Sequence, residues 1–256
     1  MCCHGIKDIL NMSIHFRSFS LALLACAALA PASQAITLPG QTTIPVIFTH
    51  TVNSGKAKAG DAVTAKTMQV VLLPNGDQIP KGTLVTGHVV EAHPFKFDET
   101  PYAAQQASYL SIQIDGIMDK GTPSPVTTSV RALANASAVE EALTPQRIDE
   151  TDSLGTMVRV GGAHYSPIAK RVTAGPDDDI VAYNKKQGVF ARLLPGGFGC
   201  TGTQTEQSVG IFSPDACGLY GFVSDSLSED GGSFRLQSTH HTVTLYAGSA
   251  ALLQVQ

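Results

Sequence analysis

From Ile44 to Glu91 the chain is written in short alternating runs. Val46, Phe48, His50 and Val52 take one side while Ile47, Thr49 and Thr51 take the other, a period of two that belongs to a β-strand with unequal faces. Ser54 to Asp61 is too polar for a core, and a second strand is predicted over Ala62 to Leu73. Pro74-Asn75-Gly76-Asp77 can reverse the chain, because Pro presets a negative φ and Asn-Gly tolerates a positive one. Ile79-Pro80-Lys81-Gly82 makes another corner, and Leu84 to Glu91 reads as a third strand in which Gly87 marks a bend or a close backbone approach.

The pattern resumes at Tyr109 to Met118, where Leu110, Ile112 and Ile114 alternate with Ser111, Gln113 and Asp115. A turn at Asp119-Lys120-Gly121 then leads into Val126 to Leu133, and the two runs read as a hairpin. Ser137 to Leu143, followed by Pro145, is the one convincing helix. From Thr144 to Gly232 the period is lost among repeated glycines, which predicts an irregular insertion. Strands return at Ser233 to Ser238, Thr242 to Tyr246 and Ala251 to Val255, and should pair back to close the structure. The expectation is a mainly β protein: a small β-barrel built from 36–134 and 233–256, closed by its C-terminal strands, with one short helix and a long irregular, disulfide-pinned insertion over 135–232.

The order of strand, Ala59-Gly60-Asp61-x-Val63, strand, Pro74-Asn75-Gly76 and Ile79-Pro80-Lys81-Gly82-Thr83-x-Val85-x-Gly87-x-Val89 resembles the β-barrel segment of TrbI-like proteins. These are outer-membrane-complex subunits of type IV secretion and conjugation machines, and the motif is also similar to one in a larger group of uncharacterised secreted bacterial proteins. The resemblance rests on Gly60, Asp61, Ile79, Pro80, Gly82 and Gly87, with Leu245-Tyr246-Ala247-Gly248-Ser249 as its closing segment, and covers under half of the chain. Every one of these is a turn or corner position, so the resemblance implies a fold and an envelope setting more than an activity. The Pro-rich linker and apolar helical hairpin of that family are not evident in the sequence.

Targeting fits an envelope setting. Met12 to Ala35 has the parts of a secretory signal, with Met12 as the expected start: Arg17 ahead of an apolar run from Leu21 to Ala30, Pro31, and small residues at Ser33-Gln34-Ala35 for cleavage. The run is shorter than the roughly 20 residues a membrane-spanning helix needs. A periplasmic or secreted location follows, with lipid anchoring through Cys26 as the alternative, since Leu23-Leu24-Ala25-Cys26 is similar to a lipobox.

Composition narrows the classes further. There are 17 Lys and Arg against 21 Asp and Glu, with no basic patch, which argues against nucleic acid as a partner. Trp is absent and Gly is abundant, as suits a β-rich exported protein. Cys200 and Cys217 follow the leader, and in an oxidising compartment they are expected to join, closing a loop worth roughly 3 kcal/mol on the chain-entropy account.

No chemistry-bearing pattern stands out. His50, His88, His93, His164, His240 and His241 lack metal-ligand spacing, and Asp177-Asp178-Asp179 and Ser228-Glu229-Asp230-Gly231-Gly232 lack a calcium-binding ladder, so no metal and no cofactor are expected. Aromatics gather around the cysteines as Phe190, Phe198, Phe212, Tyr220 and Phe222, either as a contact surface or as a satellite core. The expectation is a non-catalytic envelope structural or interaction protein meeting another envelope protein. The alternatives are a small-molecule or glycan binder on the barrel rim and a cell-wall enzyme using Cys200 as nucleophile.

Overall fold

The alternating run at Thr43–Phe48 forms the first strand, β1, of the computed structural model, which describes residues 38–73, 75–97, 101, 105–119, 121–145, 156–165, 171–174, 179–185, 188–192 and 206–256. After β1 come β2 (Val52–Asn53), β3 (Ala62–Thr67), β4 (Val71–Leu72), β5 (Gln78–Ile79), β6 (Leu84–His93), β7 (Ser108–Asp119), β8 (Thr122–Pro125) and β9 (Thr128–Ala134). A helix, α1 (Ala136–Leu143), leads to β10 (Met157–Val158), β11 (His164–Tyr165), β12 (Arg171–Ala174), β13 (Asp179–Lys185), β14 (Gly188–Arg192) and β15 (Glu206–Ser208). The chain ends with β16 (Gly218–Tyr220), β17 (Asp225–Asp230), β18 (Ser233–Ser238), β19 (Thr244–Leu245) and β20 (Ala250–Val255).

The main sheet runs β16-β9-β20-β1-β3-β6-β7-β18-β17, with β8 attached to β7, and it curls into a nearly closed barrel. Within this sheet, among the described residues, the β16–β9 pair is parallel and the other pairs are antiparallel. The two ends of the sheet are consecutive in the chain, so the short link from Tyr220 to Asp225 brings them together. Below β16 the remaining seam is bridged by a side chain: the Glu229 carboxylate accepts the backbone N–H of Val130. The protruding β8 carries Pro123 and Pro125, whose missing N–H groups blunt an otherwise exposed edge.

Alternation decides which side chains fill the barrel. Ile44, Val46 and Phe48 of β1 meet Val85, Ile112, Leu236 and Leu253 in one buried cluster. Burying a side chain such as Phe48 contributes about 1.5–3 kcal/mol. β20 breaks the alternation, since all six of its residues are buried. The reason is a second core on the outside of the wall: Ala251, Leu253 and Val255 face the barrel, while Ala250 and Leu252 pack with Val139, Val172, Val181 and Phe212. A strand covered on both faces reads as a continuous apolar run.

That second core corrects the expectation of an irregular insertion over 135–232. β10 to β15 form a six-stranded antiparallel meander in sequential order. Its last strand returns to the barrel wall, where Thr43 Oγ1 donates to the Ser208 carbonyl at 2.6 Å and Thr43 N–H to Gln207 Oε1 at 3.0 Å. The strands are short and interrupted by glycines, so no run was long enough to show a period. The barrel also resumes at Gly218 rather than Ser233, because β16 and β17 belong to its sheet.

The expected hairpin between Tyr109–Met118 and Val126–Leu133 is replaced as well. β7 turns tightly onto β8, with Asp119 opposite Thr122, and β9 crosses to lie between β16 and β20. The second predicted strand stops at Thr67 and resumes as β4, and the predicted strand over Thr242–Tyr246 shrinks to β19, which pairs with β2 outside the main sheet. The helix starts at Ala136, one residue early, because Asn135 caps it: its side chain accepts the Ala138 N–H at 2.8 Å. Among the described residues, no helix is long and apolar enough to cross a membrane.

Candidate functional site at the barrel rim

The corner residues singled out in the sequence are held by local bonds. Asp61 closes the turn before β3, its carboxylate accepting the Lys58 N–H at 2.8 Å and its own N–H reaching the Lys58 carbonyl at 3.0 Å. Gly60 and Gly82 have φ of 89° and 83°, the left-handed region that favours glycine. Ile79 is buried opposite Val71, and the Pro80 carbonyl accepts both the Thr67 hydroxyl at 2.6 Å and the Thr83 hydroxyl at 2.7 Å. Gly87 lies at a register shift between β6 and β7, where a Cβ would sit 2.3 Å from the Gln113 carbonyl oxygen. These residues shape the wall.

Cys217 lies just before β16, its backbone N–H donating to the Tyr220 hydroxyl at 2.9 Å. Cys200 lies outside the described residues, so the Cys200–Cys217 pairing stays a proposal. Asp177, Asp178, Phe198 and the leader with Cys26 also lie outside the described residues. Phe212 is fully buried, while Tyr220 and Phe222 are partly buried against the two cores, which makes these three satellite core. Among the described residues no group of three or more His, Cys, Asp or Glu could hold a metal ion.

The histidines separate by environment. His50 follows β1 in a bend rather than lying within it, bonded to Thr64 and the Ala62 carbonyl. His88 pairs with Asp115 at 2.9 Å on the outer face. His93 stacks on Tyr109 with centroids 5.5 Å apart, and Arg235 covers that ring at 4.6 Å. The Tyr109 hydroxyl donates to Glu91 at 2.6 Å, and this bond raises its pKa.

His240 and His241 occupy the bend between β18 and β19, not a strand edge as expected. Here the structure assembles a site that the sequence did not announce. The links after β9, between β16 and β17, and around β19 converge on one rim of the barrel and enclose a notch of about 180 Å³. Asp225, His241, Thr244, Tyr246, Asn135 and Val223 are among its lining. A larger cavity of about 520 Å³ lies beside it between α1 and Val158–Gly161, and the two share Asn135 and Gly221.

The notch is built on a turned-out corner. Ser224 has a φ of 62°, uncommon for a residue with a Cβ, and its carbonyl is held by the Ser238 hydroxyl at 3.1 Å. The turn throws Val223 outward to 76% exposure while the Asp225 side chain is only 5% exposed. Tyr246, 57% exposed, stands on the other side.

Asp225 and His241 form the polar floor. Asp225 Oδ1 lies 3.4 Å from His241 Nε2, but that nitrogen is 3.1 Å from the Val223 carbonyl, and Oδ1 itself has no hydrogen-bond donor. His241 Nδ1 faces the Thr242 carbonyl at 3.3 Å. Both ring nitrogens therefore face acceptors, which the doubly protonated imidazolium satisfies and the neutral ring cannot. Burial pulls the His241 pKa down, but the two carbonyls and Asp225 outweigh it and the net shift is upward. Burial raises the Asp225 pKa, against the opposing pull of His241 and Ser238.

The fold thus defines a mainly β protein, a nearly closed barrel with an outer meander and a rim notch. No protein-family model, curated protein or solved structure matches the chain. The notch residues come from three stretches of the chain, Asn135, Gly221–Asp225 and His241–Tyr246, so no compact motif could have advertised them. The nearest sequence signals were the paired His240-His241 and the Leu245 to Ser249 segment.

Proposed function

We propose that the chain is a non-catalytic binding module of the cell envelope, exported by its leader, with a TrbI-like barrel that presents its rim to a partner protein. The observation that carries this reading is the rim itself, where exposed Val223 and Tyr246 flank a polar notch. Exposed apolar side chains around a polar centre are the composition of a contact surface. The test is a photocrosslinking residue placed at Val223, with Lys66 on the barrel wall as control, in cells that express the full chain with its leader. A discrete adduct from Val223 that Lys66 does not give supports the reading. Equal labelling from both positions, or none from Val223, overturns it.

A second reading, a small-molecule or glycan binder on the same rim, is favoured by one further observation. Asp225 Oδ1 is a buried acceptor at the notch with no hydrogen bond.

A further inference from the structure

We propose that the rim notch takes a single neutral polyhydroxylated ring, a sugar unit of an envelope glycan, with one of its hydroxyls donating to Asp225 Oδ1 and its C–H face lying on Tyr246. The proposal rests on the glycan-binder reading of the rim and specifies its chemistry. Native proteins rarely leave a buried carboxylate oxygen without a donor, because the loss of water is then not repaid. Here Oδ1 is buried and has no donor, the carboxylate is only 5% exposed, and the imidazole beside it points its N–H at the Val223 carbonyl instead. The missing donor is what a ligand would supply.

Charge selects among donors. The carboxylate is already balanced by an imidazole whose protonated form is favoured, so a cation would add net charge to a neutral pair. An anion would bring only acceptors to a floor made of a carboxylate oxygen and the Val223 and Thr242 carbonyls. A hydroxyl donates without adding charge. The walls are apolar at the rim, where Tyr246 and Val223 are exposed, and polar below. A sugar has the matching division, a C–H face and a rim of hydroxyls, and about 180 Å³ is on the scale of one such ring. The left-handed Ser224 holds Asp225 inward and Val223 outward before any ligand arrives.

The test follows backbone amide signals of the mature protein while it is titrated separately with glucose, N-acetylglucosamine, ethylammonium and acetate. The expected result is saturable shifts with a sugar, confined to Val223–Asp225 and His241–Tyr246. Affinity should fall about tenfold in Tyr246→Ala, whose side chain is too exposed for its loss to unfold the barrel. Asp225→Asn, which keeps the shape but changes one acceptor into a donor, should weaken sugar binding in the same direction. Shifts with ethylammonium or acetate but with neither sugar would overturn the sugar assignment while leaving a rim ligand site standing. If none of the four probes moves these amides, both the sugar assignment and the small-ligand reading of the rim fall.

Discussion

Arg131 Nε donates to the Ala216 carbonyl at 3.2 Å, so a guanidinium buried in the wall strand β9 holds the loop that carries Cys217. Pro214 offers a second carbonyl at 3.5 Å. Burial lowers the Arg131 pKa and Asp215 opposes the change, but a guanidinium stays charged throughout. Arg131→Met should leave the Ala216 carbonyl without its donor and cost about 1–3 kcal/mol, read as a lower urea midpoint. An unchanged midpoint would show that the loop holds itself.

The seam between Val130 and Glu229 makes a smaller prediction. Glu229→Ala removes the acceptor for the Val130 N–H and should cost about 1 kcal/mol, since water can partly replace an exposed side chain. Glu229→Gln keeps an acceptor oxygen and should recover most of the loss. Faster amide exchange at Val130 in the alanine variant alone would locate the effect at the seam, and equal exchange in both variants would contradict it.

Two glycines of the barrel wall should respond differently to the same methyl group. At Gly82 the added Cβ meets nothing within 4 Å, so Gly82→Ala carries only the strain of a positive φ, about 1–2 kcal/mol. At Gly87 it would sit 2.3 Å from a backbone oxygen, and strands β6 and β7 must separate to admit it. Gly87→Ala should cost about 3 kcal/mol or more. Thermal melts of the two variants rank them, and a milder Gly87→Ala would contradict the close approach.

The pair at the rim tilts stability toward low pH. The folded pKa of His241 lies above the ordinary imidazole value of 6.5, so its stabilisation is full below that pH and is lost as pH rises through the folded value. The folded pKa of Asp225 lies above the ordinary carboxyl value of 3.8, so its contribution also falls with rising pH, between that value and the folded one. The melting-temperature advantage of the wild type over His241→Ala should be largest at about pH 5 and shrink by about pH 8. A difference that grew with pH would reverse the assignment.

Mass analysis of the protein recovered from cells that express the full chain checks the proposed leader and the cysteines together. Cleavage after Ala35 predicts a chain beginning at Ile36, whereas an acylated species beginning at Cys26 would establish a lipoprotein. Without reductant, Cys200 and Cys217 should both resist alkylation. Two reactive thiols, or Cys200 captured by an acylating probe, would favour the cysteine-enzyme reading instead.

What the sequence determined by itself is what local period and turn chemistry can express. The alternation of Ile44, Val46 and Phe48 specified a strand with one face in the barrel, Asp61 and Gly82 specified corners, and the final strands were expected to complete the barrel, as β18 and β20 do. The tertiary structure alone decided the rest. The apolar run of β20 could not say that it separates two cores, because burial on a second face depends on a meander whose short strands carry no period of their own. The crossing of β9 away from β7 was set by competition among distant edges, not by the turn at Gly121. The rim notch came from the same kind of long-range convergence. Asn135, Asp225 and His241 are far apart in the chain, and only closure of the barrel brings a buried carboxylate, an imidazole and an exposed tyrosine to one place.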